Sequence, residues 1–366
     1  MTNRREFLES TAGTLAGLAF VGCDLLASRH AHAQGARRET FVAGRRAKVI
    51  DVHAHCAVPE AMALMNLKLG GPAFRPDLHM GTTVAQRLAA MDAQGIDVQV
   101  LSINPYWYKA ERDLAEKLVQ VQNEKLAEAC GANPDRFVAF ASVALQHPDL
   151  AARQLEEGVK KYGLRGASIG GSVDGFELSD AKFHPFWAKA EQLGVLVFIH
   201  PQATGAQADL GKRLKGNGYL ENVIGWPVET SIALSHLIFE GTLDRFPGLK
   251  ICGAHGGGYL PSYAGRLDHG CLTRPDLCPG GAHGPIKKKP SEYLAQMYYD
   301  TMLFSPEGIR HLAAEFGANQ LMVGTDYPFP WTKTMVDEVL ATPGLSDADR
   351  IAILGGTAAK LLGIKT

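Results

Sequence analysis

Val49-Ile50-Asp51-Val52-His53-Ala54-His55 is the stretch on which the reading of this 366-residue chain turns. Its apolar start has the composition of a buried strand, and side chains two apart on a strand share a face. The imidazoles of His53 and His55 can therefore reach one metal ion. Three later strand-like runs also end in a potential ligand: residues 195–199 precede His200, residues 249–254 precede His255, and residues 320–325 precede Asp326.

Outward from that stretch, strand-like and helix-like patterns alternate. Strands are predicted over residues 49–52, 98–103, 137–143, 166–169, 195–199, 250–254, 298–302 and 321–324. Apolar residues at helical spacing lie between them, as in Val84-Leu88-Met91, Leu114-Leu118-Val121-Leu126 and Phe183-Phe186-Trp187-Ala190. Several of the strands are nearly continuous apolar runs, the mark of parallel strands buried on both faces. The pattern predicts an α/β fold, a closed (β/α)8 barrel. An open doubly wound sheet would not bring ligands from the first, fifth, sixth and eighth strands to one point, whereas a barrel rings them around its C-terminal mouth. Two insertions, residues 59–82 and 202–227, follow strand ends and are expected to overhang that mouth. No repeat, low-complexity tract or second-domain boundary interrupts residues 35–366.

Composition narrows the class. With 46% hydrophobic and 20% charged residues the chain can build a well-formed core. A net charge of -1 gives no concentrated basic face for a nucleic acid, and Lys287-Lys288-Lys289 reads as a solvated loop. At the N-terminus, Arg4-Arg5 precedes a weakly apolar stretch and then Ala31-His32-Ala33, a small-residue cleavage site. Residues 1–34 thus resemble a twin-arginine export signal and imply a periplasmic destination. The apolar stretch is too short and too rich in glycine for a permanent membrane span, which needs about 20 apolar residues. Phe20-Val21-Gly22-Cys23 leaves lipidation at Cys23 open, and Cys271 and Cys278 could pair in an oxidising compartment.

A lone His-x-His is a weak signal, most often a solvent-facing pair or a satisfied core. Here five candidate groups at four strand ends leave few bland explanations. Imidazoles plus a carboxylate suit zinc or a similar divalent ion, and a position left for water would supply a nucleophile with a pKa near 7. His79, His147, His184, His236, His269, His283 and His311 end no predicted strand and are given no role. Trp187 and Trp226 read as packing, although Trp226-Pro227 can also line a pocket.

Asp51-Val-His-Ala-His, Phe74-Arg75-Pro76, His200-Pro201, His255-Gly-Gly-Gly-Tyr-Leu-Pro, Gly265-Arg266, Tyr299-Asp300-Thr301 and Gly324-Thr-Asp326-Tyr-Pro-Phe-Pro resemble the amidohydrolase superfamily. The nearest branch is the one containing aminocarboxymuconate-semialdehyde decarboxylase, and the likeness runs from about Val49 to Ile364. It implies that His53, His55, His200 and Asp326 bind one zinc ion, with Asp326 also counted among the catalytic groups. His255 stands just outside as acid/base. It also implies that Arg75 and Arg266, the latter from a neighbouring subunit, hold a substrate carboxylate in a homodimer; a guanidinium fork suits that task. The function implied is a zinc-dependent, non-oxidative decarboxylase of a small unsaturated or aromatic acid. The alternative is a hydrolase of a lactone, ester or amide. The chain departs from that branch at Gln202, where an aromatic residue is usual, and no lysine ends the fourth strand to bridge a second metal.

Overall fold

The computed structural model describes residues 37–69, 83–202, 210–278 and 286–365. The export-like segment, Arg75 and part of each mouth insertion lie outside them. A short antiparallel hairpin, β1 (Thr40–Val42) and β2 (Arg45–Ala47), precedes the barrel. The barrel strands are β3 (Ile50–His55), β4 (Val98–Ser102), β5 (Phe137–Ala139), β6 (Gly166–Gly170), β9 (Leu196–His200), β10 (Lys250–Gly253), β11 (Tyr298–Asp300) and β12 (Leu321–Met322). A small hairpin of β7 (Ser172–Val173) and β8 (Phe176–Glu177) follows β6.

Every barrel pairing is parallel, in the orders β3-β4-β5 and β6-β9-β10-β11-β12. Two seams join these arcs into a cylinder. Ala141 pairs with Ala167 between β5 and β6, and Ala54 pairs with Tyr327 between β3 and the segment after β12. At the second seam, Val52 N–H donates to Val323 O at 2.8 Å and Asp326 N–H donates to His53 O at 2.8 Å. The eight expected strands are all present. Several are shorter than predicted, β5 especially, because the chain leaves regular pairing early to form the mouth.

Alternation along each strand sorts side chains between two cores. Ile50, Val52, Val98, Val100, Leu196, Phe198 and Cys252 fill the lumen, joined by Ala358, Ala359 and Leu362 of the last helix (Thr357–Leu362). Val197, Ile199, Ile251 and Leu101 face the surrounding helices. That outer layer includes helices Val84–Gln94, Arg112–Ala132, Pro148–Lys160 and His184–Leu193, in line with the helical spacing read from sequence. Thr83 and Gln86 form a reciprocal capping box at the start of the Val84–Gln94 helix, and Gly95 ends it in the left-handed region. Trp187 is fully buried and donates its Nε1–H to Leu178 O, a packing role. No described helix is long and apolar enough to cross a membrane.

β3 carries one irregularity that matters for the site. Ile50 and Asp51 lie beside Val98 and Gln99, but Ala54 and His55 lie beside Leu101 and Ser102, so β3 advances three residues while β4 advances two. The extra residue is a β-bulge, which reverses the inward and outward parity of everything after it. Ile50 points into the lumen before the bulge, and His55 points into it afterwards.

Candidate metal centre

The ligand atoms of His53, His55, His200 and Asp326 all lie within 4.8 Å of one another, and all four side chains are buried. His53 Nε2 and His55 Nε2 are 3.0 Å apart. Asp326 Oδ1 lies 2.9 Å from His55 Nε2 and 3.2 Å from His53 Nε2, yet it lacks hydrogen-bonding alignment to either; His200 Nε2 has no hydrogen-bond partner among the described residues. Buried polar atoms are rarely left unpartnered, and these two, clustered with the Nε2 atoms of His53 and His55, fit a divalent cation.

The other edge of each imidazole explains the aim. His53 Nδ1 donates to Asp300 Oδ2 at 2.6 Å, His55 Nδ1 to Ser102 Oγ at 3.1 Å, and His200 Nδ1 to Pro201 O at 2.8 Å. Ser102 can accept that bond because its own hydroxyl donates to Ala54 O at 3.0 Å. With the proton fixed on Nδ1, each Nε2 lone pair is free for the metal.

In the sequence Asp300 stands only inside the Tyr299-Asp300-Thr301 motif, and the structure gives it a post. Besides His53, it accepts the backbone N–H groups of His255 at 3.0 Å, Gly256 at 2.9 Å and Met302 at 3.1 Å. One carboxylate thus orients a ligand and the turn that carries His255. A carboxylate closing β11 was the available signal. Asp51, in the same strand as His53, left a weaker one. Asp51 accepts from Thr325 Oγ1 at 2.6 Å, Gln99 Nε2 at 2.8 Å and His53 N–H at 3.1 Å, pinning the bulge to the Asp326 segment. Arg87, buried on a helix, donates to His55 O and Gln99 Oε1, both at 2.6 Å. An arginine in a helical pattern reads as solvated, so nothing in the sequence reveals its burial.

His255 stands beside the four ligands and outside their cluster, its ring centroid 5.1 Å from that of His53 and 5.2 Å from that of His200. His255 and Asp326 both adopt left-handed backbone, φ 54° and 57°, which is uncommon for residues with a Cβ and concentrated at functional sites. Two glycines permit the crowding. A Cβ on Gly324 would fall 2.8 Å from Asp300 Cβ and 2.9 Å from His53 Cβ, and one on Gly258 would fall 2.3 Å from Pro227 O.

Electrostatics point the same way. Burial disfavours charge on His53, but the carboxylates of Asp326 and Asp300 outweigh it and push its pKa up to about 10. Burial likewise opposes ionised Asp326, yet His53 and His55 hold it well below the usual carboxylate range. Burial, with the neighbouring imidazoles, holds His200 well below the ordinary histidine value, and burial followed by His53 lowers His255 to about 4. The protein alone therefore keeps positive charge where a cation belongs, and leaves His255 neutral beside it.

Apolar rings wall the mouth. Trp226 lies 5.5 Å from His200 and 6.2 Å from His255, Phe329 lies 5.7 Å from His55, and Trp331 stacks with Tyr219 at 6.1 Å. Arg266 is elsewhere. It is exposed on the Leu260–Thr273 helix, lines an outward groove of about 610 Å³ with Tyr259, Tyr263 and Leu277, and makes no ion pair among the described residues. Asp268, two residues further along that helix, accepts from Ser291. Cys271 and Cys278 at the end of that helix form a disulfide, with Cα atoms 5.6 Å apart.

A closed barrel whose mouth gathers three imidazoles and an aspartate around one point defines a metal-dependent enzyme. The amidohydrolase family model matches residues 50–364, and this chain belongs to that family. It is 33% identical over 283 residues to the 2-amino-3-carboxymuconate-6-semialdehyde decarboxylase of Dictyostelium discoideum, covering 76% of each chain. Among solved structures, 5-carboxyvanillate decarboxylase from Sphingomonas paucimobilis superposes with a TM-score of 0.78 at 26% identity, covering 87% of this chain and 99% of that one. The dihydroxybenzoic acid decarboxylase of Polaromonas sp. JS666, with bound manganese and the inhibitor 2-nitroresorcinol, gives 0.73 at 27% identity, covering 87% and 97%.

Proposed function

We propose that this enzyme is a metal-dependent, non-oxidative decarboxylase of a small aromatic or unsaturated carboxylic acid, with zinc as its metal. The observation that carries the reading is the convergence of His53, His55, His200 and Asp326 with a neutral His255 beside them, in a chain whose relatives are named as decarboxylases. Manganese in the Polaromonas relative supports a divalent ion in general.

A bound divalent ion supplies a Lewis acid that polarises a substrate oxygen. The chain's own side chains do the rest. Trp226, Phe329 and Trp331 exclude water and stack against a planar substrate. Arg75, and Arg266 from a second copy of the chain, hold substrate carboxylate in bidentate fashion. His255, neutral at rest, takes up a proton from solvent water and passes it to the carbon that loses its carboxylate, so the carbon–carbon bond breaks, its electron pair takes the proton as a carbon–hydrogen bond, carbon dioxide leaves, and His255 returns to its neutral form. Export to the periplasm through residues 1–34 completes the reading, supported by Arg4-Arg5 and by the Cys271–Cys278 bridge.

The test compares His255→Ala with His200→Ala. His255→Ala should retain its metal and lose about 10²- to 10⁴-fold in the rate of labelled carbon dioxide release; His200→Ala should lose the metal as well. Metal loss in both overturns the division of roles. A panel of aryl and unsaturated acids that yields a new acid without gas release would make the enzyme a hydrolase. Sedimentation tests the trans arginine: a fully active monomer removes it.

A further inference from the structure

A buried acid near the mouth takes no part in the ligand cluster. Glu229 lies in the first turn of the Trp226–Phe239 helix, three residues after the tryptophan that faces His200, and is 1% exposed. Its Oε2 accepts the backbone N–H of Gln202 at 2.8 Å. That N–H belongs to the same peptide unit as Pro201 O, which accepts the Nδ1–H of His200 at 2.8 Å. A single peptide plane is thus held at both edges, by the carboxyl on one side and by a metal-ligand imidazole on the other. Chains of hydrogen bonds polarise and align one another in this way.

The surroundings fix the carboxyl itself. A Cβ added to Gly171, just after β6, would sit 3.1 Å from both Cγ and Oε1 of Glu229. Gln202 donates its Nε2–H to Pro105 O at 2.5 Å, and Gly170 N–H donates to Tyr108 Oη at 3.1 Å, so the segments after β4, β6 and β9 are cross-linked around this point.

We infer that Glu229 is a positioning residue, which holds the Pro201–Gln202 peptide and thereby sets the direction of the His200 ring toward the metal. The inference rests on the metal-dependent reading above. Glu177, on β8, is the charged group facing it. Burial, together with that like charge, raises the Glu229 pKa to about 8 against the pull of the Gln202 N–H. A neutral carboxyl matches a carboxamide in shape, and either offers the oxygen that the peptide needs.

The experiment loads cobalt into the wild-type chain, Glu229→Met and Glu229→Gln at pH 7, and records the visible ligand-field spectrum and the rate of cobalt loss to a chelator. Glu229→Met fills the volume without an acceptor and should shift the spectrum and release cobalt about 10- to 100-fold faster. Glu229→Gln should restore both. Should the methionine variant fail to fold, Gly171→Ala, which crowds the same carboxyl, must shift the spectrum. An unshifted spectrum and an unchanged release rate in the folded variants overturn the proposal. Carbon dioxide release from a substrate panel is scored separately. Its absence in every chain would sink the decarboxylase reading and leave the cobalt result standing.

Discussion

β3 and β9 deliver imidazoles to the same point by different means. On β9 the ordinary alternation suffices: Leu196, Phe198 and His200 all face the lumen, with Val197 and Ile199 facing the helices. On β3 the same alternation would turn His55 away from the lumen, and one extra residue between Asp51 and Ala54 corrects it. Regular pairing therefore places one ligand, and a built-in irregularity places two. The irregular strand is also the better braced, through Asp51, Gln99, Thr325 and Arg87, whereas β9 relies on the single peptide after His200.

The largest effect should come from removing what the irregularity delivers. His55→Ala strips one of the two β3 imidazoles and should abolish metal binding, as measured by metal content of the purified protein; retention of a full metal complement would show that β3 does not supply the centre. Asp300→Asn breaks a charge-assisted bond to His53 while keeping the shape, and should cost about 10- to 100-fold in metal affinity or turnover, read by chelator titration beside steady-state rates.

Between β6 and β9, Glu229 makes stability depend on pH. Its folded pKa of about 8 lies above the ordinary 4.5, so the folded chain binds more protons than the unfolded chain between those values. Its contribution is fully present below pH 4.5 and is lost as pH rises through 8. Glu229→Gln should flatten that decline, on the order of 1–3 kcal/mol, in urea titrations across the window. An unchanged slope would mean that the carboxyl is already ionised. The smallest effect falls on the face of β9 away from the mouth: Ile199→Val should cost about 0.5–1.5 kcal/mol in urea midpoint with metal content unaltered.

Much of this was legible in the sequence because periodicity and strand ends carry it. Eight apolar runs separated by helical spacing gave the barrel, and a histidine or aspartate after each of four runs gave the centre. What escaped reading lies in register and burial. The extra residue in β3 shows only against β4, since its sequence alternates on paper as any strand would. Arg87 and Glu229 occupy helical positions where a charged residue usually meets water, and only packing reveals that both are buried. Asp300 fell between, a strand-end carboxylate visible in the sequence whose work on His53 and the His255 turn requires the fold.

The Cys271–Cys278 bridge clasps the far end of the helix that carries Tyr263 and Arg266, and spans a separation of seven residues. Both cysteines line the outward groove and lie outside the lumen core. A reducing agent would thus undo the rim of the outward groove and spare the cation's seat, so the molecule can trade its outer contour with its surroundings while its chemistry stays under lock.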